Sequence, residues 1–119
     1  MSLSNKILIV DDEALIAFDF EMTLQDAGFE VMGPATSLNE ALEIVSAEMP
    51  RAAVLDIDLN HCPVWPLARQ LRDAGTHIVF VSANLRHDEL DNEFRNEPKL
   101  DKPVSEKDLL NALKSGLAA

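Results

Sequence analysis

The sequence predicts a three-layer, doubly wound α/β domain over residues 1–119, with a five-stranded parallel sheet between two layers of helices. Three observations carry that expectation. Short apolar runs alternate with helix-length amphipathic stretches, the pattern that right-handed crossovers between parallel strands produce. The run "AAVLDI" (52–57) is apolar on both faces, as a strand inside such a sheet must be. At 119 residues and 47% apolar content, the chain supplies one core and little more.

The elements follow in order. "KILIV" (6–10) reads as the first strand, and Glu13 to Ala27 as a helix stopped by Gly28. "FEVMG" (29–33) is the second strand, closed by Gly33-Pro34. Ser37 and Glu40 form a capping box for a helix that reaches about Glu48. The third strand, 52–57, leads to a helix from Val64 to Ala74, ended by Gly75. "HIVFVSA" (77–83) is the fourth strand, and the polar stretch from Asn84 to Pro98 takes no assignment. A short fifth strand near Lys99–Asp101 precedes a last helix that opens at Ser105, with Asp108 three residues on. That helix carries Leu109, Leu110, Leu113 and Leu117.

Composition excludes several classes of function. Twenty-one acids against ten bases give a formal charge of -11, which disfavours binding to nucleic acid or anionic lipid. No apolar run approaches the roughly 20 residues of a membrane span, and "MSLSN" lacks the regions of a signal peptide. The single cysteine, Cys62, forbids an internal disulfide, fits a reducing cytoplasm and reads as inert. His61, His77 and His87 share no metal-ligand spacing, so no zinc site is expected. Trp65 reads as packing at the start of the third helix.

In open sheets of this kind, ligands bind outside the carboxyl ends of the strands. Asp11 and Asp12 follow the first strand, Asp56 ends the third with Asp58 just beyond, Ser82 ends the fourth, and Lys102-Pro103 follows the fifth. Two unit charges about 4 Å apart repel by roughly 4 kcal/mol at an effective dielectric near 20. A few such pairs rival the roughly 5–15 kcal/mol that holds a domain together, so protons or a cation must relieve them. Mg²⁺ fits best, being hard, oxygen-seeking and content with one or two carboxylates plus a phosphate. Lys102 adds a positive charge, Ser82 a rotatable donor, and a carboxylate beside the metal a nucleophile toward phosphorus. The plainer reading makes Asp11 and Glu13 acids at a helix N-terminus. Four elements at four strand ends favour the site.

"VDDE" (10–13), "VLDIDL" (54–59), "VFVSAN" (79–84) and "DKPV" (101–104) occur in that order. With them the chain resembles the receiver domains of response regulators, the phosphoacceptor halves of two-component signalling, over essentially its whole length. The resemblance implies a flavodoxin-like strand order, 2-1-3-4-5. It implies that Asp56 is phosphorylated, that Asp12 binds Mg²⁺ directly and that Asp11 does so through water. The Asp58 backbone carbonyl would complete the protein's share of the metal shell. Ser82 would be the switch hydroxyl, Lys102 would pair with the phosphoryl group, and Lys102-Pro103 would be cis. Asp58 and Asn84 stand where the family tunes dephosphorylation. The phosphate donor would be a histidine kinase or histidine phosphotransfer protein meeting the first helix, and the output a downstream protein in the cytoplasm. Such a domain catalyses only its own phosphorylation and dephosphorylation, and in that sense is no enzyme. Two alternatives stand beside it. One is a degenerate receiver that only binds partners. The other is an Asp-nucleophile phosphatase of the haloacid-dehalogenase type, which "DID" (56–58) matches in motif but not in position or chain length.

The departures also matter. Receivers usually place an aromatic three residues before the lysine, where this chain has Lys99, and "NEPKLDKP" holds no aromatic at all. Between Ser82 and Lys102 only Leu85, Leu90 and Phe94 stand out as apolar anchors, so a short, irregular or mobile fourth helix is expected. In the first helix, Ile16, Phe20, Leu24 and Ala27 form one stripe, and Leu15, Phe18 and Met22 another, about 160° away at 100° per residue. One sheet cannot cover both. The second stripe is either buried by a neighbour or a docking face for a helical partner.

Overall fold

Continuous burial of the central strands on both faces sets the layering of this protein, whose computed structural model describes residues 3–117. In chain order the elements are β1 (Lys6–Val10), α1 (Ala14–Asp26), β2 (Glu30–Ala35), α2 (Leu38–Ala47) and β3 (Ala52–Asp56). A two-residue hairpin follows, β4 (Asp58–Leu59) with β5 (Cys62–Pro63), and then α3 (Trp65–Asp73) and β6 (His77–Ser82). The chain continues through α4 (Asp88–Asp91), β7 (Lys99–Asp101) and α5 (Glu106–Leu117). The sheet runs β2-β1-β3-β6-β7 with every neighbouring pair parallel. With the small antiparallel hairpin set apart, this is the expected order 2-1-3-4-5.

Ile7, Ile9, Ala52, Val54, Val79 and Val81 point to one face, where α1 contributes Phe20 and Leu24 and α5 contributes Leu109 and Leu113. Leu8, Val10, Ala53, Leu55, Ile78 and Phe80 point to the other, against Ala41 and Val45 of α2 and Leu67 and Leu71 of α3. Strands buried on both faces cannot alternate apolar with polar, which explains their continuous apolar runs. The serine caps form, but the Ser37–Glu40 box is modified, with the Glu40 carboxylate accepting from the Thr36 amide at 2.8 Å instead of that of Ser37. Ser37 Oγ accepts from the Glu40 amide, Ser105 Oγ accepts from the Asp108 amide, and Gly28 (φ +91°) turns the chain after α1.

β2 departs from its expected end. It does not close at Gly33-Pro34 but runs on to Ala35, and its pairing with β1 slips between Leu8 and Val10. Pro34 has no N–H to give the ladder, and a bulge absorbs it. Gly33 sits there at φ +89°, where an added Cβ would meet the Ala35 amide nitrogen. Beyond the bulge, the Ala35 carbonyl accepts from the Asp11 amide at 3.0 Å and so anchors the first acid of the site. The Gly33–Pro34 and Lys102–Pro103 bonds are cis.

The fourth helix is short, as expected, at four residues. The segment around it is nonetheless well packed. Leu90 and Phe94 are buried, and Phe94 stacks on Trp65 (centroids 5.8 Å, planes 16° apart) and meets Phe80 edge-on at 5.3 Å. Arg69 and Arg72 of α3 both grip the Glu93 carboxylate at 2.8 Å, and the Arg72 guanidinium lies 5.4 Å over the Phe94 ring. Two Arg partners hold Glu93 well below the usual carboxylate range, at about 2. Lys99, standing where an aromatic was expected, donates from Nζ to the Arg95 and Glu97 carbonyls at 3.1 and 2.9 Å. The residue that would swing has become a staple.

On α1, Phe20 and Leu24 are buried and Ile16 is half-buried, while Ala27, the C-cap, is exposed and outside the stripe. Leu15 (82% exposed), Phe18 (54%) and Met22 (42%) are left uncovered. Among the described residues, no helix is long and apolar enough to cross a membrane. Phe94→Ala should cost about 3–5 kcal/mol in urea unfolding, the usual loss for a buried Phe, because the ring seals the aromatic cluster.

Candidate functional site

Parallel strands end on the same edge, so β1, β3, β6 and β7 deliver their C-terminal residues to one place. Asp11 is almost wholly buried (1% exposed), and its Oδ1 accepts from the Glu13 amide at 2.9 Å. Asp56, also buried, has Oδ1 tied to the Ile57 amide at 2.8 Å. Asp12 lies half-buried, and its Oδ2 accepts from the Asn60 amide at 3.0 Å. Ser82 is buried, its Oγ accepting from the Asn84 amide at 3.1 Å, which leaves the hydroxyl proton free to donate. Its carbonyl accepts from the Lys102 amide at 3.0 Å and brings that lysine to the edge.

Lys102 joins the cluster electrostatically. Its Nζ lies 2.9 Å from Asp11 Oδ2, 3.4 Å from Asp56 Oδ2 and 3.4 Å from Glu13 Oε1, with the side chain 12% exposed. One ammonium does not balance these carboxylates. Burial first, then the Asp11 charge, push the Asp56 carboxyl up to about 7 against the pull of Lys102. Burial alone would lower the Lys102 pKa, but Asp11 and Asp56 outweigh it and hold it above the ordinary value. Asp11 Oδ2 is buried with no donor in hydrogen-bonding alignment among the described residues, and the ammonium faces it as a charge. One oxygen each of Asp11, Asp12 and Asp56 lies within 4.8 Å of the others. An anionic, all-oxygen set whose charge one ammonium does not offset, with Asp11 Oδ2 buried in it, fits a hard divalent cation such as Mg²⁺.

These groups border a cleft of about 370 Å³, lined by Asp12, Glu13, Asp56, Asp58, Ser82, Ala83, Asn84, His87 and Lys102. A second groove, about 700 Å³, runs from Lys102 and Glu13 between α1 and the start of α5, past Ile16, Met22, Val104 and Leu109.

The structure brings together Asp11, Asp12, Asp56, Ser82 and Lys102, all singled out from the sequence. Asp58 borders the same cleft with its side chain exposed at the start of β4. Three participants had escaped notice. Glu13 makes no helix-cap hydrogen bond and instead reaches Lys102. Its place in "DDE" beside a distant lysine was the available signal. The Asn60 amide reaches Asp12 because Asn60 (φ +53°) and His61 (φ +69°) turn the β4–β5 hairpin, and Asn and His are among the residues that tolerate that region. His87 lines the cleft from a segment that the sequence left unassigned.

Comparison with known proteins agrees with this geometry. The family model described as "Response regulator receiver domain" matches residues 7–114. A response regulator receiver protein from Sinorhizobium medicae WSM419 superposes with a TM-score of 0.86 at 32% identity, covering 98% of this chain and 96% of that one. A response regulator from Burkholderia pseudomallei, solved with a phosphorylated aspartic acid and a calcium ion, gives a TM-score of 0.82 at 21% identity, covering 97% and 69%. BvgA of Bordetella pertussis, a putative positive transcription regulator of virulence factors, is 34% identical over 71 residues, which are 60% of this chain and 34% of that protein. The match thus spans about a third of that relative's length.

The raised Asp56 pKa sets a pH dependence. Because the folded value exceeds the ordinary 3.8, the native state holds a proton that the unfolded chain has lost between about pH 4 and pH 7. That stability is full below about pH 4 and gone above about pH 7. In chelator, Asp56→Asn should therefore melt several degrees above the wild type at pH 8, at roughly 4 °C per kcal/mol, and the gap should close toward pH 4. Melting curves across that range check it.

Proposed function

Since the chain belongs to the response-regulator receiver family, we propose that it is a phosphorylation switch in which Asp56 accepts a phosphoryl group from a phosphohistidine donor. The observation that carries this reading is the convergence of Asp56 with Asp12, Ser82 and Lys102 in one cleft, with the buried Asp11 paired to that lysine. An Asp56 carboxylate oxygen attacks phosphorus, the P–N bond to the donor imidazole breaks, and the electron pair leaves with the nitrogen. The product is an acyl phosphate. Asp11, Asp12 and Asp56 would hold Mg²⁺, with Asp58 beside them. When bound, the ion offsets the charge of the carboxylates and the incoming phosphoryl oxygens. Lys102 pairs with one phosphoryl oxygen, giving up part of its contact with Asp56, and the Ser82 hydroxyl donates to another. Water attacking phosphorus breaks the P–O bond to Asp56, returning carboxylate and inorganic phosphate. The protein turns over nothing but its own phosphate, and so acts as a switch rather than an enzyme. The B. pseudomallei neighbour, with its phosphorylated aspartate, supports the chemistry.

The donor meets α1. Leu15, Phe18 and Met22 form an exposed apolar stripe beside the 700 Å³ groove, which opens at Lys102. A histidine kinase or phosphotransfer protein that lays a helix there would set its histidine over the cleft. The rim includes Glu13, Asp19 and Glu106, so basic residues would flank that helix. The signal passes to a downstream protein in the cytoplasm.

Intact mass after incubation with Mg²⁺ and a small acyl phosphate should show one base-labile phosphoryl adduct, absent from Asp56→Asn. No adduct in the wild type would leave partner binding as the whole function. Phe18→Ala should slow transfer from a phosphorylated kinase about tenfold, the effect of roughly 1.4 kcal/mol at a contact residue. Labelling of the same variant by the small donor is the reference for that loss.

A further inference from the structure

One side chain belongs both to the cleft and to the aromatic cluster beneath it. His87 lines the cleft with Asp56, Ser82 and Lys102, and its ring meets Trp65 edge-on, with centroids 5.7 Å apart and planes at 68°. Trp65 in turn stacks on Phe94 and touches Phe80, so the contact runs from the cleft into the packing that holds residues 84–97. His87 is also the N-cap of α4. Its backbone carbonyl accepts from the Leu90 and Asp91 amides, but its ring makes no cap hydrogen bond. Among the described residues the imidazole bonds no backbone group; it is half-buried and lines the same cleft as Asp56.

We propose that His87 senses the phosphoryl group: an imidazole N–H donates to a phosphoryl oxygen, and the ring leaves the edge of Trp65 as it does so. The inference rests on the phosphorylation of Asp56 proposed above. An imidazole carries an N–H donor in either protonation state, and a bond to an anionic oxygen is roughly twice as strong as one between neutral groups. Before phosphorylation, Asp12 and Asp56 in the cleft are already engaged by the Asn60 and Ile57 amides and by Lys102, and Asp58 stands exposed. Afterwards it presents new anionic oxygens. Because His87 caps α4 through its backbone carbonyl, reorienting this residue shifts the cap of the helix and loosens one edge of the Trp65–Phe94 stack. Lys99 is occupied with the Arg95 and Glu97 carbonyls, so the other end of the segment stays fixed. His87 thus acts as a positioning residue that converts charge on Asp56 into movement of residues 84–97.

Trp65 is the chain's only tryptophan and reports this directly. Wild type and His87→Phe, which keeps an aromatic edge but has no N–H, are treated with Mg²⁺ and a small acyl phosphate. The fraction phosphorylated is taken from intact mass in each case. Trp65 emission should shift in proportion to that fraction in the wild type and stay constant in His87→Phe. Nitrogen and proton resonances of the wild-type His87 ring, followed in the same titration, should move with the same dependence. An equal emission shift in His87→Phe, or a His87 ring signal that stays put at full phosphorylation, would overturn the inference while leaving the phosphoacceptor function intact. No adduct in the wild type would overturn that function and this inference together.

Discussion

A single ammonium group set among buried carboxylates is the constraint on which the carboxyl edge of the sheet depends. Lys102 faces Asp56 across 46 positions of sequence and Glu13 across 89, so no local pattern can assemble the contact. Only the strand order does it, by placing the ends of β1, β3, β6 and β7 side by side. The balance is deliberately incomplete, since one positive charge serves Asp11, Asp56 and Glu13. The shortfall appears as an Asp56 carboxyl raised to about 7 and a Lys102 held above its ordinary value. Such a site gains from any further positive charge it can recruit. The cost is carried by the apolar strands behind it, which remain buried on both faces.

Main-chain groups, more than side chains, hold the acids in place. The bulge in β2 delivers the Ala35 carbonyl to the Asp11 amide, the β4–β5 hairpin delivers an amide to Asp12, and Asp56 takes its own neighbour's N–H. Backbone donors carried on rigid elements need no rotamer search, and so they fix carboxylate directions at low entropic cost. The two helical layers then diverge in character. On the α1–α5 side an apolar stripe and a groove stay open. On the α2–α3 side an aromatic cluster and a two-arginine grip on Glu93 close the surface over the segment that contains α4. The open groove and the closed aromatic cluster thus lie on separate faces joined by one sheet edge.

Much of this was legible in the residues. Doubly apolar runs, capping serines and helix-stopping glycines mark elements through local chemistry, and local chemistry is what a sequence displays. The site was legible because its members each stand at a strand end, so knowing the layering located them. What escaped was tertiary. "FEVMG" gave no sign that β2 would carry Pro34 inside a bulge and run on to Ala35. The stretch from Asn84 to Pro98 looked like a loosely held polar segment, because Glu93 finds its arginines 21 and 24 residues away and Phe94 finds Trp65 in another helix. Lys99 was read as a missing aromatic, whereas its long stem lets the ammonium return to carbonyls two and four residues upstream. The second stripe on α1 was left undecided by the sequence because burial by a neighbour is a property of the whole fold.

The sheet has two outer strands, and each is blunted. β2 spends two of its six residues on Gly33 and Pro34, and Pro34 can offer no N–H to a newcomer. β7 is three residues long, with charged side chains at Lys99 and Asp101. Exposed strand edges are where one sheet extends into the next chain, the first step toward fibrils. Here the backbone offers little for another strand to pair with, and a surface of net charge -11 keeps like molecules apart. Association is thereby left to the side chains of the helical layers, and the protein can carry an uncovered apolar stripe without seeding its own aggregation.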